Sequence, residues 1–177
     1  MSELLQSAID NLSIEDVFLR KSLISIKDDF DPKYNRDLDS LDMQFKHLVR
    51  KHEVLKLENE SQELQVFRVH VELGARWVYV ADNVKDQSDG ADIFARIEAT
   101  MVAEYRMLSN PGQEALEIFA LCNVSYHVWP YWREYLMSQA MRMNFPKTVL
   151  PIVQFATNSS RSLIDKTIKQ DYMCDTK

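Results

Sequence analysis

Between Ile93 and Met107 the chain alternates with a period of two. Ile93, Ala95, Ile97, Ala99, Met101, Ala103, Tyr105 and Met107 fall on one side, and Phe94, Arg96, Glu98, Thr100, Val102, Glu104 and Arg106 on the other. Only an extended strand sends successive side chains to opposite faces, so this segment is predicted to be a β-strand with one apolar face. A strand cannot hide that face alone; it needs neighbours in a sheet and a second layer packed against it.

The neighbours lie upstream. Leu64 to Val80 sets Phe67, Val69, Val71 and Leu73 against Arg68, His70 and Glu72. Met43 to Leu57 reads as another strand through Met43, Phe45, Val49, Leu55 and Leu57. Glu15 to Phe30 is rich in β-branched and aromatic residues and reads as the first strand, with a bulge near Lys21–Ser22. Polar turns at Asn59–Glu63 and Asp82–Gly90 separate the later strands, whereas Phe30–Leu41 has the Pro, Asn and Asp content of a longer loop. Successive strands joined by polar turns predict an antiparallel meander with one wet face. Residues 1–14 read as a short helix or a loose tail.

After Leu108 the period changes. Ser109-Asn110-Pro111 predicts a helix start, with Asn110 as cap, proline at the first helical position and Gln113 placed as in a capping box. The helix is expected from Pro111 to about His127. Its apolar residues, among them Leu116, Ile118, Phe119, Ala120, Leu121 and Val124, run nearly all the way round. A sheet covers one side of a helix, so a second cover is expected, and a partner subunit is the natural candidate. A break at Val128–Trp129 and a restart at Pro130 predict a second helix to about Met143, ended by Asn144-Phe145-Pro146. Thr148–Phe155 is an extended apolar run broken by Pro151, and residues 158–170 could form a last short helix.

The 177 residues suit one domain, and a 46% apolar content is enough for a core without metals or disulfides. Three glycines and five prolines leave few turns, so the elements should be long. A net charge of -6 argues against nucleic-acid binding. The only cysteines, Cys122 and Cys174, are too few for a disulfide framework and read as reduced thiols of a cytosolic protein. Met1–Asn11 is not a signal peptide, and no apolar run approaches the length of a membrane span, so a cytoplasmic chain without membrane insertion is expected.

Catalytic patterns are missing: there is no glycine-rich phosphate loop, no metal-spaced Cys/His cluster and no nucleophile elbow, so no cofactor or metal is expected. His47 and His52, five apart in one strand, should point to opposite faces. Cys122 and His127 are wrongly spaced on a helix to meet. The cluster Tyr126, Trp129, Tyr131, Trp132 and Tyr135 reads as helix packing rather than a base-stacking surface. Met137, Met141 and Met143 read as core, or as an adaptable peptide-binding surface.

Three fragments carry a family resemblance: Val128-Trp129-Pro130-Tyr131-Trp132-Arg133-Glu134, then Phe145-Pro146, then Leu150-Pro151-Ile152 with Phe155. Together with Ala103-Glu104-Tyr105-Arg106-Met107-Leu108 and the order of elements, they resemble the SecB family of chaperones over about residues 15–155. The resemblance implies an α+β fold with a four-stranded antiparallel sheet packed by two C-terminal helices. It also implies a homo-tetramer built as a dimer of dimers, with first helices sandwiched between subunits. Leu116, Phe119, Ala120 and Val124 then become the expected oligomer interface. Residues 1–14 and 156–177 would flank the SecB-like domain.

What the family does implies a non-catalytic, ATP-independent holdase that takes non-native polypeptides into apolar grooves. The grooves lie near the loop between the first two strands and the second helix. Carried over, Tyr34, Leu38, Leu41, Tyr135, Met141, Val149 and Ile152 become candidate client-binding residues, each of which core or interface packing explains equally well. The client would be an exported preprotein or a dedicated antitoxin of a toxin–antitoxin pair. Family members that work in export dock the SecA motor through acidic residues of the first strand, where this chain has Leu19-Arg20-Lys21-Ser22. Asn144 stands where the family has glycine before Phe-Pro. The competing readings are an oligomeric adaptor that binds a folded partner and a small-molecule-binding domain on the same scaffold.

Overall fold

The structure is a computed structural model that describes residues 3–35, 38–59, 62–79, 92–146, 148 and 150. Its elements are helix α1 (Glu3–Asn11), strand β1 (Leu12–Ile26), a 3-10 turn (Leu38–Ser40), strands β2 (Asp42–Asn59), β3 (Gln62–Tyr79) and β4 (Asp92–Met107), and helices α2 (Gln113–Cys122) and α3 (Val124–Arg142). The apolar/polar alternation produces the strands and the change of period after Met107 produces the helices, as the sequence predicts.

The strands form one antiparallel sheet in the order β1-β4-β3-β2. The meander therefore holds only for β2, β3 and β4. The chain leaves β1 at one edge and crosses to β2 at the other, so β4 closes against β1 and not at the end of a row. Pairing explains the choice. Val17, Leu19 and Ile24 of β1 lie beside Ala103, Met101 and Ile97 of β4, which extends one apolar face. The bulges in β1 fall at Glu15, which the sequence did not signal, and at Arg20, just before the position expected from sequence.

A third bulge has a larger consequence. Between Val49 and Lys51 the β2–β3 register slips by one residue. His47 pairs with Leu73 and His52 with Val69, so both histidines face the helices. The expectation of opposite faces fails because an inserted residue reverses the parity of everything beyond it.

The core lies between the sheet and the helices. Phe67, Val69, Val71 and Leu73 of β3 and Ala95, Ile97, Met101 and Tyr105 of β4 meet Leu116, Phe119, Val124, Val128, Trp132 and Leu136 of the helices. The opposite face carries cross-strand charge pairs: Arg68–Glu104 (2.6 Å), Lys46–Glu72 (2.8 Å) and Glu15–Arg106 (2.8 Å). Exposed pairs of this kind add little stability, but they identify the wet face. That face is not wet throughout, because Val102 and His70 are buried on it.

The helices depart from expectation in two places. α2 starts at Gln113 behind Gly112, whose φ of 94° suits glycine, and the Asn110 side chain accepts a hydrogen bond from Gly112 N–H (3.0 Å) without capping the helix. The break falls at Asn123 and not at Val128–Trp129, and Pro130 lies inside α3. Pro130 and Tyr126, whose carbonyl loses its helical partner to the proline, are both exposed, so water can reach that carbonyl.

Candidate functional site

The crossover from β1 to β2 shapes an open cleft. Lys27 N–H donates to Phe94 O (2.9 Å), which carries the β1–β4 ladder one residue past the strand. Asp31 then organises a tight turn: its side chain accepts from Lys33 N–H (3.0 Å), and its carbonyl accepts from Tyr34 N–H (3.2 Å) and Asn35 N–H (3.1 Å). Phe30, just before that turn, faces inward. Its ring meets Phe94 edge-on at 4.8 Å and Phe145 at 6.2 Å, and Phe145 lies 4.5 Å from Trp77. This aromatic group ties the crossover loop to the end of α3.

The end of α3 is fixed by its own termination. Asn144 has φ 59°, in the left-handed region. Phe145 N–H reaches back to Ala140 O (3.0 Å) and Asn144 N–H to Met141 O (3.2 Å). These are the paired bonds of a Schellman stop, in which asparagine takes the place usually held by glycine. Asn144 in the resemblance motif is therefore a conformational equivalent. The stop aims Phe145 into the core and leaves Arg142 and Asn144 exposed.

Between loop and helix end lies a cleft of about 540 Å³. Ile26, Phe30, Pro32 and Met143 give it an apolar wall, and Lys27, Asp28, Asp29, Asp31 and Arg142 line the rest. Lys27 is bound to Asp92 (2.8 Å), which, with Asp29 nearby, raises its ammonium pKa above the usual lysine value. Among the described residues no group of three or more His, Cys, Asp and Glu gathers to hold a metal ion, and no helix is long and apolar enough to cross a membrane.

The candidate residues divide. Leu38, Leu41 and Tyr135 are half-buried and pack on the core, Tyr135 beside Trp132 at 6.2 Å. Tyr34 (74% exposed, Lys33 over its ring at 5.3 Å) and Met141 (57% exposed) are open to solvent. Val149, Ile152, most of the 148–155 run, the expected 158–170 helix and Cys174 lie outside the described residues. Cys122, half-buried at the end of α2, is disulfide-bonded and not a free thiol, so the expectation of reduced thiols fails for it. Leu116, Phe119, Ala120 and Val124, expected between subunits, are at most 2% exposed within the single chain. α2 packs between α1, α3 and β2, so α1 supplies the second cover that was expected from a partner. In the aromatic cluster Trp129 and Trp132 are buried, while Tyr126 and Tyr131 are half open.

Sequence reasoning missed Ile26, Phe30, Pro32 and Met143 as one wall. Phe30 and Pro32 stood out only as loop composition, and nothing in their spacing links them to Met143.

No family model matches the chain, and no curated protein matches it. Among solved structures it is similar to the SecB-like chaperone Rv1957 of Mycobacterium tuberculosis, solved in complex with a ChAD peptide from the Rv1956 HigA1 antitoxin. The two share 15% identity at a TM-score of 0.60, over 86% of this chain and 98% of the other. A likeness at that identity speaks to architecture: four antiparallel strands with the crossover between the first two, and helices on one face, are the SecB-like fold, and this chain has it.

Proposed function

We propose that this protein is an ATP-independent holdase of the SecB type that binds non-native polypeptides. The observation that carries the reading is the cleft between the crossover loop and the Schellman stop of α3. It is open, sets an apolar wall of Ile26, Phe30, Pro32 and Met143 beside charged residues, and is roomy enough for side chains of an extended segment. The similar mycobacterial chaperone was solved with an antitoxin peptide, which supports a polypeptide client. The client class is an exported preprotein or a dedicated antitoxin of a toxin–antitoxin system, and the mechanism is non-catalytic and cytoplasmic. Each buried client side chain contributes only about 1.5–3 kcal/mol, so several clefts per oligomer supply the affinity.

Assembly of a homo-tetramer is part of this proposal. Ile14, Leu19 and Ile24 of the edge strand β1 are 46%, 44% and 39% exposed on the helix-facing side. Glu15-Asp16 and Arg20-Lys21 flank Phe18 symmetrically, so antiparallel self-pairing brings acid near base. Engagement of SecA has less support, because Arg20-Lys21 stands where an acidic contact is expected. The test is aggregation of a denatured client with and without the protein, in the absence of nucleotide. Suppression at stoichiometric amounts is expected. If denatured clients aggregate unhindered while a folded partner is captured, the adaptor reading replaces this one.

A further inference from the structure

The first turn of α3 is tied to the sheet on two sides by imidazoles. Ser125, which is buried, meets His47 Nε2 of β2 at 2.8 Å. Two residues on, His127 Nδ1 lies 2.8 Å from the Tyr105 hydroxyl of β4. The second contact has its roles fixed by chemistry. Tyr105 is 1% exposed, and burial pushes its phenol well above the usual tyrosine pKa, so it keeps its proton. That proton needs an acceptor, and the neutral Nδ1 lone pair is the one in place. The pair sits in an aromatic knot: His127 is 5.7 Å from the Tyr105 ring and 6.5 Å from Phe119, and Phe119 and Tyr105 meet edge-on at 5.0 Å.

A proton on Nδ1 would turn this acceptor into a donor. The Tyr105 hydroxyl would then lose its acceptor where water cannot replace it. The charged ring would also find little compensation from the elements around it. Among the described residues, the helix-facing positions of β1 carry no acid or base; β4 adds only Asp92, which is bound to Lys27 at the opposite end of the strand from Tyr105, and β3 has Glu63 at a helix-facing register position. β2 has His47, His52, Lys56 and Glu58 at helix-facing register positions, with His52 resting on Phe67 at 5.7 Å. On the helices, Glu3 and Asp10 of α1, Glu114 and Glu117 of α2 and Glu134 of α3 are exposed, and Arg133 is bound to Leu150 O at 2.9 Å.

We propose that the Tyr105–His127 hydrogen bond, flanked by Ser125–His47, is a proton-operated latch: neutral, it holds the α2–α3 corner on the sheet; protonated, it frees that corner and uncovers the apolar face beneath. Burial lowers the pKa of both His47 and His127 from the ordinary imidazole value, in keeping with closure in the neutral form. For a histidine lowered by folding, stability is complete above the unfolded-state pKa and falls as pH drops below it. Between about pH 6.5 and the folded-state value, each unit shifts the open-to-closed ratio by up to about tenfold.

The test uses the full chain without client, so its outcome is independent of the holdase reading. Binding of an environment-sensitive apolar dye and amide exchange in the first turn of α3 are followed from pH 7.5 to 5. Both should rise reversibly, with the midpoint at which the His127 ring protons titrate by NMR. His127→Asn places a non-titrating oxygen near Nδ1 and should abolish this step. Tyr105→Phe removes the hydroxyl that protonation strands, and should move the midpoint toward higher pH; it also serves if His127→Asn does not fold. An acid step with the same midpoint in both variants, or in Tyr105→Phe alone where His127→Asn is unfolded, overturns the latch, as does a His127 titration with no change in exchange.

Discussion

Replacing Phe30 by alanine should detach the crossover loop from the end of α3. The ring is 9% exposed and contacts Phe94 at 4.8 Å and Phe145 at 6.2 Å. Truncating a buried phenylalanine costs about 3–5 kcal/mol. Phe30 lies at the rim of the core on a loop that can relax, so the low end applies, about 3 kcal/mol, of which each ring pair supplies about 0.5–1.5 kcal/mol beyond buried area. With a urea m-value of about 2 kcal/mol/M, the midpoint should fall by about 1.5 M at unchanged slope. Phe145→Ala and the double variant complete a cycle whose coupling should be about 0.5–1.5 kcal/mol. Client capture by folded Phe30→Ala, measured without urea, should weaken because one wall of the cleft is gone. A midpoint shift below about 0.25 M with no coupling to Phe145 would refute the seating of the loop, since a change that small is what a surface substitution gives.

Other perturbations test the supports of the same architecture. Asn144→Gly should leave stability nearly unchanged, whereas Asn144→Val should cost about 1–2 kcal/mol in chemical denaturation, because φ 59° suits glycine and asparagine and penalises a β-branched residue. Arg133→Met should raise amide exchange and flexibility near Leu150, because the half-buried guanidinium donates to Leu150 O at 2.9 Å and a hydrogen bond from a charged group contributes about 1.5–3 kcal/mol. Glu72 is held below its ordinary pKa, chiefly by the Lys46 hydrogen bond. Its contribution is therefore complete above about pH 4.5 and is lost as pH falls toward the lowered value, so Glu72→Gln should flatten the acid limb of the stability profile there.

The cleft was half legible in the sequence. The end of α3 could be read from Asn144-Phe145-Pro146, since a left-handed stop followed by proline is a local device. The loop could be read from Pro32, Asn35 and its aspartates. Their meeting could not, because it depends on β1 pairing with β4, which carries the loop across the end of the sheet. The carried-over positions also divided on tertiary grounds. Leu38, Leu41 and Tyr135 found core to pack against, while Tyr34 and Met141 did not.

The sequence alone determined the strands, the change to helix after Met107 and the wet and dry faces of β3 and β4. Periods of two and 3.6 are local properties, and each residue's neighbours suffice to express them. Tertiary structure decided the strand order, the side to which His52 points, the cover over α2 and the partners of Ser125 and Tyr105. One bulged residue reverses parity for the rest of a strand, and a helix apolar on all sides is satisfied by whichever element arrives. Here α1 arrives from the start of the chain, so long-range pairing, not local pattern, settles what remains on the surface.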